Sequence, residues 1–371
     1  MARKNDIPII IAVMILAVLH SCTEVEYGNG GYTADSTGVS FVFDWDGLKS
    51  EPEYGIPDEM TVLMSRLINT VHYAWVTDST GKILAELQDS TGTGTADSLA
   101  VVENGTYYLM AVHENPRHYD ISNLHGFSTE EEVSMKDFVL TLKTPSAEEI
   151  DSMFSSGRTD FNSAIEYVYN PGPVFYEMQE ELQVFPDTPS EITVSPESIA
   201  QKLTFRLNID LDEGIRVNGI IAEISGIGNN IELMSGHIDV TDMYRSAFRM
   251  HETAVSGTTH TYEGDIYVFG LFPSKDRNLI TGPGILQLSI NAAYEDFSKN
   301  FHAGINLYET ISNAELMTSS GDGMYRIEKD EAILEIPGRL TIRGDQIVPG
   351  NNDQGLDAWF DSDDNVFDTE L

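Results

Sequence analysis

Leu203, Phe205, Leu207, Ile209 and Leu211 alternate with Thr204, Arg206, Asn208 and Asp210, which puts an apolar residue at every second position. Successive side chains of an extended chain point to opposite faces, so this spacing predicts a strand with one face buried and one in water. The same alternation runs through Val39, Phe41, Phe43 and Trp45, through Tyr107, Leu109 and Ala111, and through Phe138, Leu140 and Leu142. It returns at Leu286, Leu288 and Ile290, and again at Leu334 and Ile336. Asn104-Gly105, Asn218-Gly219, Gly282-Pro283-Gly284 and Pro337-Gly338 punctuate these runs as turn signals. Helical spacing is scarce. Ser146 to Phe154 is one such segment, with Ser146 as N-cap and Glu148 and Glu149 in the first turn; Thr241 to Met250 is a weaker second. Short strands separated by tight turns predict an all-β chain built from β-sandwiches with few short helices.

A chain of 371 residues has room for about two domains, each with its own core. The boundary falls best at Pro186 to Pro196, where three prolines interrupt any continuing ladder. That division gives an N-terminal sandwich over 39–187 and a C-terminal one over 190–343. A tether rich in Gly, Thr, Ser and Asp precedes them over 22–38. The acidic segment 344–371 has no basic residue beyond Arg343 and is expected to be a disordered or loosely docked tail.

Charge narrows the classes of partner. Sixty Asp and Glu against 21 Lys and Arg leave a formal net charge of −39. A surface this negative repels phosphate backbones and cannot hold anionic lipid through a basic face, so no nucleic-acid partner is expected. It suits an exported or surface-displayed protein.

The one cysteine, Cys22, excludes an intrachain disulfide framework and a Cys-cluster zinc site. Its position is informative. Arg3 and Lys4 precede Ile7 to Leu19, an apolar run broken only by Pro8. Thirteen helical residues span about 20 Å, short of the roughly 30 Å hydrocarbon core, so 1–21 reads as a signal peptide rather than a membrane span. Leu19-His20-Ser21-Cys22 resembles the bacterial lipobox, although His20 stands where a small residue is usual. That resemblance implies cleavage between Ser21 and Cys22 and acylation of the Cys22 thiol, with palmitate among the acyl chains. The chemistry needs a thiolate nucleophile. Acyl chains contribute roughly 0.8 kcal/mol per buried CH₂, which anchors a protein in the outer membrane without a transmembrane helix. Glu24 and Glu26 resemble the signal that sends some lipoproteins to the outer cell surface.

The order of landmarks also resembles a family. The lipobox at Cys22 is followed by "VSFVFDWDG", "NGTYYLMAVHEN", "VSPESIAQKLTFRLNI", "VNGIIAEISGI", "YVFGLFPS" and "AILEIPGRLTI". This order is similar to that of the fimbrillin-like lipoproteins of type V fimbriae, in particular their minor-fimbria and FimB-like anchor subunits. The resemblance implies two tandem transthyretin-like, Greek-key β-sandwich domains and a structural role. In polymerising members a trypsin-like protease removes the first strand, and the groove accepts a strand from the next subunit. Here no Arg or Lys lies between Cys22 and Lys49, and Lys49 follows the strand Val39–Trp45. The expectation is an anchor or accessory subunit that retains its first strand, does not polymerise, and meets pilin subunits by strand addition.

Sharper chemistry is poorly supported by the residues. "HENPRH" is not H-E-x-x-H, because His118 lies five residues after His113 and Pro116 breaks the helix; His125 follows nearby. "DWDG" (Asp44, Asp46, Gly47) and "DSDD" (Asp361, Asp363, Asp364) lack the spacing of a calcium loop. No G-x-S-x-G elbow appears, so neither catalysis, a metal nor a cofactor is expected. "DST" at Asp35, Asp78 and Asp89, with "DSL" at Asp97 and "DSM" at Asp151, reads as turn chemistry and also resembles bacterial O-glycosylation sites. The rival class is a surface glycan-binding lipoprotein of a nutrient-uptake system. Its sugar platform would draw on Trp45, Trp75 or Trp359, of which Trp45 falls on the core phase of its strand.

Overall fold

The computed structural model describes residues 35–45, 55–66, 70–87, 99–124, 133–154, 164–186, 190–321 and 323–349, and the backbone of two further strands near the C-terminus. The first half contributes β1 (Ser36–Phe43), β2 (Glu59–Ser65), β3 (Tyr73–Asp78), β4 (Ile83–Glu86), β5 (Ala100–Glu103) and β6 (Gly105–Val112). There follow β7 (Tyr119–Ile121), β8 (Val139–Leu142), the helix α1 (Ala147–Met153), β9 (Phe175–Val184), β10 (Ser190–Val194) and β11 (Glu197–Ser198). The second half opens with β12 (Gln201–Leu211), β13 (Arg216–Gly228), β14 (Asn230–Glu232), β15 (Ile238–Asp239), β16 (Tyr244–Ser256) and β17 (Thr259–Leu271). It continues through β18 (Ile285–Ala293), β19 (Ser298–Asn306), the helix α2 (Tyr308–Ala314), β20 (Met317–Gly321), β21 (Met324–Ile327) and β22 (Glu331–Glu335). The last strands are β23 (Leu340–Arg343), β24 (Gln346–Pro349), β25 (Ala358–Ser362) and β26 (Asn365–Val366).

The all-β expectation holds. In the first half a three-stranded sheet, β10-β1-β5, shares a core with a six-stranded sheet, β11-β9-β6-β2-β3-β4. In the second, β24-β23-β12-β17-β16-β13-β18-β19-β25-β26 forms one continuous ladder that bends back on itself at β16. Residues 244–250 of β16 pair with β13 and residues 251–256 pair with β17, with a bulge between Glu252 and Ala254. The bend lets Leu203, Phe205, Leu207 and Ile209 of β12 join one core with Ile220, Ala222 and Ile224 of β13 and Leu286, Leu288 and Ile290 of β18.

That core does not stop at the second half. Met60, Val62 and Met64 of β2 face the first core, whereas Leu63 joins the second; in β6, Tyr107, Leu109 and Ala111 face the first while Met110 and Val112 join the second. A sheet covered on both faces needs apolar side chains in both phases, which explains the unbroken runs in "VLM" and "LMAV". The halves are also stitched by backbone. β14 pairs antiparallel with β8, and Tyr167 bridges to Arg245, with Val168 N–H donating to Arg245 O (2.8 Å) and Arg245 N–H to Glu166 O (3.0 Å). At this seam the Tyr167 hydroxyl donates to Glu223, and Arg245 Nη1 lies 3.5 Å from Glu223 Oε2, both charged side chains being 4% exposed. The Arg245 guanidinium also stacks over the Tyr167 ring at 4.0 Å.

Several readings are corrected. The segment Thr241–Met250 is not helical: Ser246, Phe248 and Met250 are buried at alternate positions, and β16 runs through it. Asn218-Gly219 lies inside β13 as a register shift rather than between strands. β1 begins at Ser36, within the stretch read as tether, because Ser36–Val39 pairs with β5. The prolines around 186–196 do not mark a gap in pairing, since β10 between them pairs with β1. Past Arg343, β24 pairs with β23 and β25 with β19, so strand continues into the stretch read as tail. The helix at Ser146 is as expected: Ser146 caps α1 and Glu149 returns the bond to its backbone.

The seam supplies a test. Removing one member of a buried ion pair strands the other charge, at a cost of about 3–5 kcal/mol. Glu223→Ala should lower stability to urea by that amount, and both halves should lose protection from amide exchange together.

Candidate functional site: the seat of the first strand

β1 is held on both edges. It pairs parallel with β10 from Val39↔Ser190 to Phe43↔Val194, and antiparallel with β5 from Ser36↔Glu103 to Val39↔Ala100. Asn104 N–H donates to Asp35 O (2.7 Å) at its start, and Asp44 N–H donates to Val194 O (2.8 Å) at its end. Val39, Phe41 and Phe43 point into the first core, where Phe41 packs on Trp75 with ring centroids 5.5 Å apart. Trp45, expected in that core, is half-buried at its rim: it stacks on Phe43 (5.6 Å) and donates from Nε1 to Ser79 O (2.8 Å).

The turn between β3 and β4 clasps the same strand. Asp78 Oδ1 accepts from Thr80 N–H (2.9 Å), Thr80 Oγ1 (2.6 Å) and Lys82 N–H (3.1 Å). Burial alone would raise the Asp78 pKa, but the bonds from Thr80 and Lys82 outweigh it and hold the carboxyl below its usual range. This turn presents Gly81 at φ +98°, with its Cα so close to β1 that a Cβ there would stand 2.0 Å from Phe41 O. Only glycine fits. "DST" at Asp78 is therefore a turn, as its residue types suggest, whereas the role of Gly81 against β1 is absent from the local sequence.

The histidines do other work. His113 packs by its ring on Tyr119 and Phe175, and Tyr119 donates to His113 O (2.9 Å). His118 stacks on Tyr169 at 5.1 Å, and Tyr169 donates to Glu149 Oε2 (2.6 Å), which takes Glu149 down to about 2. Burial lowers the pKa of both histidines. Among the described residues no group of three or more His, Cys, Asp or Glu side chains is placed to hold a metal ion. Ser21, Cys22, Glu24, Glu26, Asp46, Gly47, Lys49, Asp89, Asp97, His125, Asp363 and Asp364 lie outside the described residues, as do the side chains of Trp359 and Asp361.

No protein-family model and no curated protein sequence matches this chain. Solved structures similar to it include a provisionally assigned adhesin from Bacteroides ovatus, at 13% identity and TM-score 0.42, covering 76% of this chain and 86% of that one. The fimbrial anchor protein Mfa2 of Porphyromonas gingivalis matches at 11% identity and TM-score 0.38, over 88% and 97% of the two chains. Its tip fimbrial protein Mfa3, with C-terminal truncation, matches at 10% and 0.35, over 85% and 98%. Fimbrial proteins are thus among its structural neighbours.

Two outcomes follow from this geometry. Gly81→Ala must move the turn off Phe41 O, costing about 1–3 kcal/mol, read by urea unfolding and by faster amide exchange along β1. For the histidines, the folded-state pKa lies below the ordinary 6.5, so as pH falls through 6.5 the unfolded chain takes up protons first. Their contribution is full above that pH and is lost as pH falls towards the depressed values. Stability should drop from pH 7 to pH 5, and the His113→Gln, His118→Gln double variant should show a shallower drop.

Proposed function

We propose that this chain is a lipid-anchored structural protein of the outer cell surface, a fimbrial anchor or accessory subunit that keeps its first strand and does not polymerise. The observation that carries the reading is the seat of β1, paired on both edges and buried along its core face. A subunit whose groove is filled by its own strand cannot accept one from a neighbour there. The sequence supports retention, since the first Lys or Arg after Cys22 is Lys49, which lies beyond β1. Acylation of Cys22 after cleavage behind Ser21, with Glu24 and Glu26 as export signal, completes the proposal. It is supported by the placement of the sole cysteine directly behind the apolar run.

The edge proposed for docking is that of β22 in the second half. β22 pairs with β12, and Ile333 on it is 59% exposed. Such an edge offers a pilin subunit a place for strand addition. The rival glycan-binding reading needs an exposed aromatic platform. Of the tryptophans with described side chains, Trp75 is 3% exposed and Trp45 is committed to Phe43 and Ser79. The proposal has no catalytic step and no cofactor.

Labelled palmitate should enter the wild-type chain and be absent from Cys22→Ser. N-terminal sequencing of fimbria-associated material should find β1 still attached. A product that begins at Ser50 and repeats along fibres overturns the proposal.

A further inference from the structure

We infer that this chain is built to carry tension along its length: the first strand of each half is bonded in parallel to a late strand of that half, so tension between the start of β1 and the end of β23 loads both ladders in shear. In the first half, tension enters at Ser36, the start of β1, and leaves at Val194, the end of β10. These are opposite ends of one parallel ladder, registered from Val39↔Ser190 to Phe43↔Val194. Separating strands so loaded strains the ladder bonds together. Pulling at matching ends would open them one after another, at lower force.

The second half repeats the arrangement between Gln201 and Arg343; β24, β25 and β26, which follow, are held by antiparallel pairings that peel first under a C-terminal pull. Tension enters β12 at Gln201, and β12 pairs parallel with β22 from Lys202↔Glu331 to Arg206↔Glu335, then with β23 from Ile209↔Leu340 to Leu211↔Ile342. Lys202 N–H to Asp330 O (2.7 Å), Ile336 N–H to Arg206 O (2.9 Å) and Asp212 N–H to Ile342 O (3.2 Å) extend this ladder at both ends and across its middle. Arg206 braces it sideways, paired to Glu263 on β17 and Glu335 on β22. Between the two ladders, the link is fastened to the first half by β11 on β9 and by Ile199 N–H to Val174 O (2.9 Å). The intervening strands β2 to β9 hang beside this path. The first ladder has five registered pairs, and the second has five with β22 and three with β23, so the first is the weaker link.

The mechanics stand on topology alone; only the source of the pull, a membrane hold ahead of β1, rests on the function proposed above. The test is single-molecule force spectroscopy on residues 22–371. With the chain produced without residues 1–21, so that the Cys22 thiol stays unacylated, the handles are Cys22 and the C-terminus in one geometry, and Cys22 and Phe185→Cys in the other. Phe185 is 62% exposed and precedes β10, so the second geometry pulls β1 and β10 from matching ends. The first unit should rupture at about twofold or greater force in the terminal geometry, as expected when the loaded barrier differs. Asp44 N–H bonds to β10, so the alternate Val42 N–H faces it too, and Val42→Pro should lower the terminal-geometry force without touching the core. Equal forces in the two geometries, or a first unit that opens without a force peak, overturn the inference. Because palmitate labelling is read separately, failure of the anchor proposal and failure of the clamp are distinguishable.

Discussion

The parallel contact between β1 and β10 is the constraint that the first sandwich depends on. The three-stranded sheet has β1 at its centre, so without it β5 and β10 have no common partner and the face carrying Ile192, Val194, Ala100 and Val102 loses its middle row. The pairing joins residues about 150 positions apart in sequence, a costly loop to close, and it becomes favourable only once the rest of the sandwich is in place. The Asp78 turn then adds its clasp through Gly81 and the Trp45 bond to Ser79. One strand is thus held by two ladders, an aromatic cluster and a backbone contact that no side chain could occupy.

The same logic joins the halves. A six-stranded sheet buried on one face only could stand as a separate domain, but β2 and β6 are apolar in both phases and share their second face with the large core. Burying Glu223 and Arg245 at that seam is offset by their mutual attraction, by the Tyr167 hydroxyl donated to Glu223 and by the Tyr167 ring under the guanidinium. Polar groups at a buried seam fix its register, since a slipped arrangement would leave a charge without its partner. The halves therefore share buried core and backbone pairing, with two hydrophobic clusters between them.

How much of this was legible in the sequence depended on the range of the interaction. Strand content, the capped helix at Ser146 and the turns at Gly282-Pro283-Gly284 and Pro337-Gly338 are local, and alternation or turn chemistry reveals them. Thr241–Met250 misled because Tyr244, Phe248 and Met250 also fit a loose helical spacing; pairing with β13 decides for strand. The prolines at 186–196 signalled a break, yet proline is excluded only from ladder positions that donate, and β10 occupies the proline-free stretch Ser190–Val194 between them. Asn104-Gly105 is a genuine corner, although it passes the chain from one sheet to the other instead of closing a hairpin. The seat of β1 could not be read at all: Gly81 and Phe41 lie 40 positions apart, and nothing in either neighbourhood names the other.

Strand order, rather than any single side chain, gives the molecule its mechanical direction. Had β10 run antiparallel to β1, its exit would lie beside the entry of β1, and tension would peel the sheet one bond at a time. The parallel choice requires a long excursion through β2 to β9 before the chain can return in the same sense as β1. That excursion is what builds the first sandwich, so the same topological step closes the core and sets the ladder across the line of pull. The second half makes the identical choice with β12 and β22, although its intervening strands follow a different order. Two different orders of intervening strands thus lead to the same parallel pairing, and in each half that pairing both completes a core and lies across the line of pull.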